Sequence, residues 1–342
     1  MSSLEKSLNM QHINWAVLGC GHIANTFMSS MASVDNASVI ACAAGNKERA
    51  QAFASTHSIP QHFGSYQEML QLRSINAVYI ATTHNFHFEQ IKLCLHHGKH
   101  VLCEKPLTLN ASQAKEAFAL AKRNNLLLIE AVWTRFLPAV ASIKQALAKK
   151  EIGKILCVQA NFSLNRDLPD THRLNNKALA GGALLDLGIY PITLADIVFN
   201  KAPCNINSVA QMTRTGVDKN SFYTLQYECG GIAQLSSGFN MSGPTFANIM
   251  GSKGHIHIPN FLGAQGYQIT LEGESPQWRD FAFESSNNFS FEIQHMTNSL
   301  LHHVTKSDVM PSTHTLRVMQ IMDDIRAQWG LSYQGEQAQD IN

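Results

Sequence analysis

Charge is scarce in this chain. Only 15% of its 342 residues are Asp, Glu, Lys or Arg, and 26 basic against 25 acidic side chains leave a net charge of +1. No basic block or stripe breaks that balance, so neither nucleic acid nor an anionic membrane is an expected partner. No apolar run reads as long enough to cross a bilayer. The opening residues, MSSLEKSLNMQHIN, lack the apolar core of a secretion signal. Cysteine is sparse too: seven residues (20, 42, 94, 103, 157, 204 and 229), odd in number and without a CxxC pair. They read as reduced, buried thiols of a cytoplasmic protein rather than as a disulfide framework. There are 16 histidines, but His255, His257, His295, His302 and His303 lack Cys or acidic neighbours at zinc-binding spacing, so no metal is expected. Internal repeats and low-complexity tracts are missing.

What is present is an alternation of short apolar runs and amphipathic stretches. Runs at 13–18, 39–44, 77–81, 100–103 and 126–130 are continuously apolar or nearly so, and helical patterns separate them at 22–33, 47–57, 85–97 and about 111–124, the last capped by Asn110 or Ser112. Buried strands alternating with helices specify a parallel sheet covered on both faces. After about residue 131 the rhythm changes. A helix is expected at 134–150, with Pro138 in its first turns, and strands then alternate residue by residue: Leu156, Val158, Ala160 and Phe162 oppose Cys157, Gln159 and Asn161. Tyr223, Leu225 and Tyr227 repeat the scheme, as do Ala233, Leu235 and Ser237 beyond a Gly230-Gly231 turn. Further strands are expected at 206–213, 247–251, 255–258, 267–272 and 280–284, with helices near 182–199, 290–304 and 314–331. The expected fold class is an α/β Rossmann domain (1–130), then an α+β domain with an open, mainly antiparallel sheet (131–332). The final helix is free to pack back on the first domain, and residues 333–342 read as a frayed tail. The outer face of the second sheet carries Gln, Ser, Thr and Asn but little charge, which fits a face covered by a second subunit or an ordinary wet one.

Gly19-Cys20-Gly21-His22-Ile23-Ala24 reads GxGxxA between a strand and a helix in the first βαβ unit. Gly19 permits the tight turn and Gly21 admits a pyrophosphate. His22 and Ile23 open the helix at the anion, and Ala24 lets it pack against the strand. The second strand ends in Ala44-Gly45-Asn46-Lys47-Glu48-Arg49. An acid that would accept the 2′-hydroxyl of NAD is missing there, whereas Lys47 or Arg49 suits a 2′-phosphate and Asn46 suits either form. NADP is therefore the expected cofactor, with NAD the second choice. Thr82, Thr83, His84 and His87 follow the third long strand, at the edge where nucleotides lie; for His87, a buried structural role is equally open.

Glu104-Lys105-Pro106 ends the next strand and directs a lysine into the same cleft; the Lys105–Pro106 peptide is a candidate for the cis form. About eighty residues on, Gly181-Gly182-Ala183-Leu184-Leu185-Asp186-Leu187-Gly188-Ile189-Tyr190 places an acid and a phenol four apart on one helical face among apolar residues. A buried carboxylate and phenol need partners, and Lys105 would serve both. A lysine beside a tyrosine at a dinucleotide cleft can move a proton while a hydride moves. The bland alternatives are a surface lysine before a turn, a capping aspartate and a core tyrosine.

Taken together, the GxGxxA turn, Glu104-Lys105-Pro106 and the Gly181–Tyr190 block resemble the Gfo/Idh/MocA oxidoreductase family. The block EAVWTRFLP (130–138) and the tyrosine at 190 are most similar to its dimeric dihydrodiol dehydrogenase and D-xylose dehydrogenase branch. That resemblance implies an NADP-linked alcohol–carbonyl reaction on a sugar, polyol or diol, with homodimers formed sheet to sheet. It also implies catalytic roles for Lys105 and Tyr190 and a positioning role for Asp186. Trp133 and Arg135 are then expected near the nicotinamide, with Trp133 stacking on cofactor or substrate unless it serves interdomain packing. Phe162 and Arg173 join Lys105, Trp133, Asp186 and Tyr190 as expected substrate contacts, with closing the cleft as the alternative for Arg173. Gly45-Asn46 stands where the branch often has Arg or Asp, and Ala180-Gly181-Gly182 where the family has three glycines. A catalytically silent dinucleotide-binding sensor of the same fold is the alternative; it would have no need of both Lys105 and Tyr190. An NAD-assisted glycosidase would need histidine-rich signatures that the sequence lacks.

Overall fold

The computed structural model describes residues 11–284 and 288–336. The polar start up to residue 10, residues 285–287, and residues 337–342 of the tail lie outside the described residues.

Six parallel strands form the first sheet: β1 (Ile13–Leu18), β2 (Ala37–Ala43), β3 (Gln61–Phe63), β4 (Ala77–Ile80), β5 (His100–Glu104) and β6 (Leu128–Ala131). Their order is β3-β2-β1-β4-β5-β6. The chain winds outward to β3 and then returns past β1 to β4, so the β1 and β4 ends flank a topological switch point, where open α/β sheets bind ligands. Helices α1 (His22–Met31), α2 (Lys47–His57), α3 (Tyr66–Leu70), α4 (His87–His96) and α5 (Ala111–Arg123) connect the strands. The Asn46 side chain caps α2 by accepting from the Arg49 N–H, and Asn110, rather than Ser112, caps α5 by accepting from the Gln113 N–H. The pair β3 and α3 went unforeseen, since three and five residues are too few to carry a period.

A one-turn 3-10 segment, Trp133–Phe136, leads into α6 (Pro138–Ala148). The single helix expected at 134–150 is therefore two pieces. Proline has no N–H to continue the first and takes the N1 position of the second.

The second sheet comprises β7 (Ile155–Ser163), β8 (Asn205–Met212), β9 (Asp218–Gln226), β10 (Ile232–Gly238), β11 (Phe246–Gly251), β12 (Gly254–Ile258), β13 (Gly266–Leu271) and β14 (Gln277–Asp280). Its order is β14-β13-β12-β11-β7-β10-β9-β8, and every pairing is antiparallel except β7 with β10. The last strand lies three residues ahead of its expected start. The inner face (Val158, Ala160, Tyr223, Leu225, Ala233 and Leu235) is buried under α7 (Ile189–Phe199), a mostly apolar helix whose residues from Ile189 to Ile197 are all buried. Leu156, assigned to that face, is 47% exposed at the strand's start. The other face stands open, with Val209 66% and Phe222 39% exposed among Asn, Gln and Ser side chains.

Helices α8 (Ser290–Leu301) and α9 (Ser312–Trp329) close the chain, α8 on β1 and α1, and α9 on α5, α7 and β8. Segment Lys177–Phe199 is, against expectation, long and apolar enough to cross a membrane, but 78% of its apolar window is buried inside the fold. All seven thiols are free; Cys42, Cys94 and Cys103 are buried, whereas Cys204 and Cys229 are exposed. The tail also departs from expectation. Tyr333 is only 5% exposed and donates to the Gly181 carbonyl at 2.5 Å; a lone aromatic in a polar stretch gave no periodicity to signal this.

Candidate active site

A cleft of about 690 Å³ opens at the carboxyl ends of β1, β2 and β4. Its floor is the fingerprint turn. Gly19 is in left-handed backbone (φ +99°), and an added Cβ would lie 2.8 Å from Thr82 Cγ2 and 3.0 Å from the Ala81 carbonyl. At Gly21 and Gly45 the space is open, with no atom nearer than 3.9 Å at the first and none within 4 Å at the second. Helix α1 starts from Gly21 without a side-chain cap and without an acid in its first turn. Uncapped N–H groups facing a glycine cradle are what a pyrophosphate requires, so these residues fit a dinucleotide. His22, Ile23, Thr82, Thr83, His84 and Arg49 line the same cleft. Ala24 is buried in helix–strand packing, and Asn46 is occupied as a cap.

Three groups hold the segment after β5. Glu104 accepts from the Tyr79 hydroxyl at 2.5 Å and from the Lys105 N–H at 3.2 Å. The Leu107 N–H donates to Glu130 Oε1 at 2.8 Å. His87 Nδ1 faces the Pro106 carbonyl at 2.9 Å, and its Nε2 faces the Thr82 carbonyl at 3.2 Å. The Lys105–Pro106 peptide is cis. His87 is thus a buried bracket, not a cleft residue: burial pushes its pKa down to about 4, leaving a neutral ring among backbone carbonyls. Burial also pushes the Glu104 and Glu130 carboxyls up, Glu130 to about 7.

Opposite lies the Gly181–Tyr190 block. Gly181 presses on the preceding loop so closely that an added Cβ would meet the Leu174 and Arg173 carbonyls at 2.5 and 2.6 Å. That contact delivers Arg173 to the site. Ala180, in place of a family glycine, takes left-handed backbone (φ +55°), and its carbonyl accepts from His84 Nε2 at 2.6 Å. Leu184–Gly188 forms a π-helical turn that runs into α7. Such widened turns recur at functional sites, and this one presents Asp186 and Tyr190 together.

The two halves meet at Lys105. Its Nζ donates to the Asp186 carbonyl at 2.5 Å and to Asp186 Oδ1 at 3.1 Å, and it sits 5.0 Å from the Tyr190 ring centroid. Arg173 donates to both Asp186 oxygens, at 3.1 Å to Oδ2. Burial opposes ionisation of Asp186, but Lys105 and Arg173 outweigh it and hold the carboxyl well below its ordinary range. Burial likewise opposes the Lys105 charge, and Asp186, Tyr190 and Glu104 overcome it and raise its pKa. For Tyr190 burial wins: despite Lys105, the phenol is pushed up to about 12.

Trp133 meets this group differently from a stacking platform. Its Nε1–H donates to the Tyr190 hydroxyl at 3.1 Å, while its ring tilts against Phe289 at 5.8 Å. Phe162 stands edge-on to Tyr190 at 5.7 Å. Arg135 is not brought to the cleft. It is 2% exposed, donates to the Val309 carbonyl and pairs with Asp196, which His314 and Arg317 also engage. An arginine just past the last strand of the sheet need not face the cleft when a buried carboxylate claims it. Cys20, Tyr66, Phe86 and Gln90 line the cleft without having been singled out. Cys20 could have been found by its place between the fingerprint glycines; Tyr66 sits on the short α3 and left no signal. Among the described residues no three His, Cys, Asp or Glu side chains converge as a metal site would require.

A glycine cradle at the switch point of a parallel sheet, sharing its cleft with residues borne by a second, mainly antiparallel sheet and its helices, fits a dinucleotide-dependent oxidoreductase. Comparison with known proteins gives the same class. Residues 13–132 match the oxidoreductase family with an NAD-binding Rossmann fold, and residues 140–257 match the GFO/IDH/MocA C-terminal domain. Trans-1,2-dihydrobenzene-1,2-diol dehydrogenase of Xenopus tropicalis is 33% identical over 329 residues, which cover 93% of this chain and 98% of that relative. A 3-ketoreductase from Actinomadura kijaniata, solved with NADP and TDP-benzene, superposes with a TM-score of 0.83 at 26% identity over 92% of this chain and 97% of its own. Aldose-aldose oxidoreductase from Caulobacter crescentus shares the fold, with a TM-score of 0.85 at 22% identity over 93% of this chain and 98% of its own. The chain belongs to the Gfo/Idh/MocA oxidoreductase family. It is an NAD(P)-dependent enzyme.

Proposed function

We propose that the enzyme interconverts an alcohol and a carbonyl on a sugar, polyol or dihydrodiol, with Tyr190 as acid and base and Lys105 as its electrostatic partner. The observation that carries this reading is the lysine ammonium held between Asp186 and the Tyr190 ring at the edge of the glycine-cradled cleft. When bound, the dinucleotide supplies the hydride donor or acceptor. The turn at Gly19 and Gly21 with His22 and Ile23 would hold its pyrophosphate, and Gly45 and Arg49 would meet its adenosine ribose. Tyr190, pushed up to about 12, keeps its proton at neutral pH and gives it to a carbonyl oxygen in reduction. In oxidation the phenol accepts the hydroxyl proton through its ionised form, which the Lys105 charge and the Trp133 N–H both favour. Asp186 keeps Lys105 charged and in place. Trp133 and Phe162 pack apolar rings around Tyr190, and Arg173 and Asp186 line the cleft beside it, a pairing that suits a ring bearing neighbouring hydroxyls. The diol dehydrogenase name of the Xenopus relative supports this substrate class.

NADP is the proposed cofactor, supported by Arg49 in the cleft and by the NADP held in the Actinomadura structure. Initial rates with NADP and NAD against pentoses, hexoses, dihydrodiols and dicarbonyls test the whole reading; no turnover across that panel would favour the silent sensor instead. In the same assay Arg49→Glu is expected to raise the KM for NADP about 10- to 100-fold, the scale of a lost charge-assisted contact, and to spare NAD. An unchanged KM for NADP rejects the 2′-phosphate assignment.

The open face of the second sheet, with Val209, Phe222 and Ile232 exposed, supports a homodimer paired through that face. Sedimentation equilibrium is expected to read twice the chain mass of 37.8 kDa; a single-chain mass at micromolar concentration rejects it. Seven free thiols suit a reducing, cytoplasmic setting.

A further inference from the structure

The two chain segments that carry Lys105 and Tyr190 are tied together from behind by the last described residues. Helix α9 ends at Gly330 in left-handed backbone, and Leu331–Glu336 then doubles back across the molecule. At one end the Tyr333 phenol is buried and donates to the Gly181 carbonyl at 2.5 Å, five residues ahead of Asp186. At the other, the Gly335 carbonyl accepts from Gln113 Nε2 at 2.7 Å and the Glu336 carbonyl from Asn110 Nδ2 at 2.9 Å. Asn110 lies five residues beyond Lys105 and caps α5. Arg326 fastens the middle. It packs over the Tyr333 ring at 5.1 Å, donates to the Leu109 carbonyl at 3.0 Å and pairs with Asp323 and Glu336. Asp323 in turn accepts from the Ala111 N–H at 2.8 Å.

This geometry has a consequence for the site. No direct hydrogen bond joins Lys105 to the Tyr190 hydroxyl in the structure; the lysine reaches the tyrosine through space, 5.0 Å from its ring centroid. Interaction between a charge and an ionising group falls with distance, so the backbone spacing of the two segments governs how far Lys105 can ease ionisation of the phenol. The segments approach from opposite sides of the cleft, one running from β5 to the start of α5 and the other leading into α7, and the strap is hydrogen-bonded to the end of the first and the start of the second.

We propose that the C-terminal strap Leu331–Glu336 is a positioning element for catalysis, with Tyr333 and Gln113 as its two anchors, holding the Lys105 segment at a fixed spacing from the Tyr190 segment. This rests on the Lys105–Tyr190 reading above. Tyr333→Phe keeps the ring over Arg326 and removes only the bond to Gly181; Gln113→Leu removes the anchor at α5 together with the acceptor of the Leu109 N–H, and leaves the Asn110 cap. Each is expected to lower kcat about two- to tenfold, the scale of one buried hydrogen bond. The pH limb that reports Tyr190 is expected to move to higher pH, because a more distant ammonium lowers the phenol's pKa less. NADPH affinity by fluorescence titration and the thermal midpoint monitor the cleft and the fold, and both are expected to stay near wild type. A Tyr333→Phe enzyme with wild-type kcat, or one whose kcat falls while the limb stays put, overturns the proposal; so does a variant that loses only thermal stability. Tyr190→Phe is assayed alongside. If it retains turnover, the catalytic reading fails and takes the strap's role with it. If it is inactive while Tyr333→Phe behaves as wild type, only the strap's role fails.

Discussion

Tyr190→Phe and Lys105→Ala are each expected to reduce turnover about 10²- to 10⁴-fold, the range that a positioned proton donor contributes. The phenylalanine keeps the ring that meets Phe162 edge-on and deletes only the hydroxyl. The dinucleotide is proposed to be held by the turn at Gly19 and Gly21 and by Arg49, none of which the change touches, so NADPH affinity should hold in that variant. In the lysine variant Asp186 still faces Arg173, which donates to both of its oxygens. The carboxylate is therefore not stranded, and the block from Gly181 to Tyr190 should keep its shape. With the ammonium gone, the buried phenol loses the largest influence favouring its ionisation, and since the phenolate forms in reduction and is consumed in oxidation, both directions should slow. Pre-steady-state and steady-state rates in both directions, with NADPH binding measured by fluorescence, check this. Turnover near wild type in either variant would remove the acid–base assignment.

The residues that told the most from sequence were those whose chemistry and context agree. Gly19 and Gly21 stand between a strand and a helix, and a glycine cradle has few other uses there. Lys105 was legible because a strand end aims its following side chain into the cleft, and Asp186 with Tyr190 because an acid and a phenol buried four apart must find partners. The sequence puts Arg135 near the nicotinamide and leaves His87 open between the cleft and a buried structural role. Tertiary partners decide where each points: Asp196 for the arginine, which is thereby kept from the cleft, and the Pro106 and Thr82 carbonyls for the histidine, which takes the buried role. Trp133 shows the limit of reading a residue type: an indole suggests stacking, and only the coordinates show its N–H donating to Tyr190. The strap was invisible because its hold on the fold is made by backbone carbonyls and one phenol, which no periodicity announces.

Gly19→Val is expected to abolish dinucleotide binding, and the reason lies in the backbone rather than in lost contacts. At φ +99° any side chain is strained, and the first added carbon would already lie 3.0 Å from the Ala81 carbonyl, with Thr82 Cγ2 at 2.8 Å. Valine adds two branches to that carbon, and no rotamer frees it from main chain on one side and side chain on the other. The Thr82 methyl can turn away, but the Ala81 carbonyl belongs to the segment leaving β4, whose Ala81 N–H donates to the Leu18 carbonyl at 2.8 Å. Relief therefore has to come from the turn itself, which would carry Gly21 and the uncapped start of α1 away from the pyrophosphate they are shaped to receive. NADPH affinity is expected to fall at least about 100-fold, more than a single charge-assisted hydrogen bond would account for. Gly45→Ala supplies the contrast in the fold: no protein atom lies within 4 Å of its added carbon, so it should keep a wild-type thermal midpoint, and any loss of NADPH affinity there would come from the ribose proposed to lie against it. Fluorescence titration with NADPH reads both variants, and the thermal midpoint separates lost binding from a lost fold. A folded Gly19→Val protein that binds NADPH as wild type does would mean that the fingerprint turn is not where the dinucleotide sits.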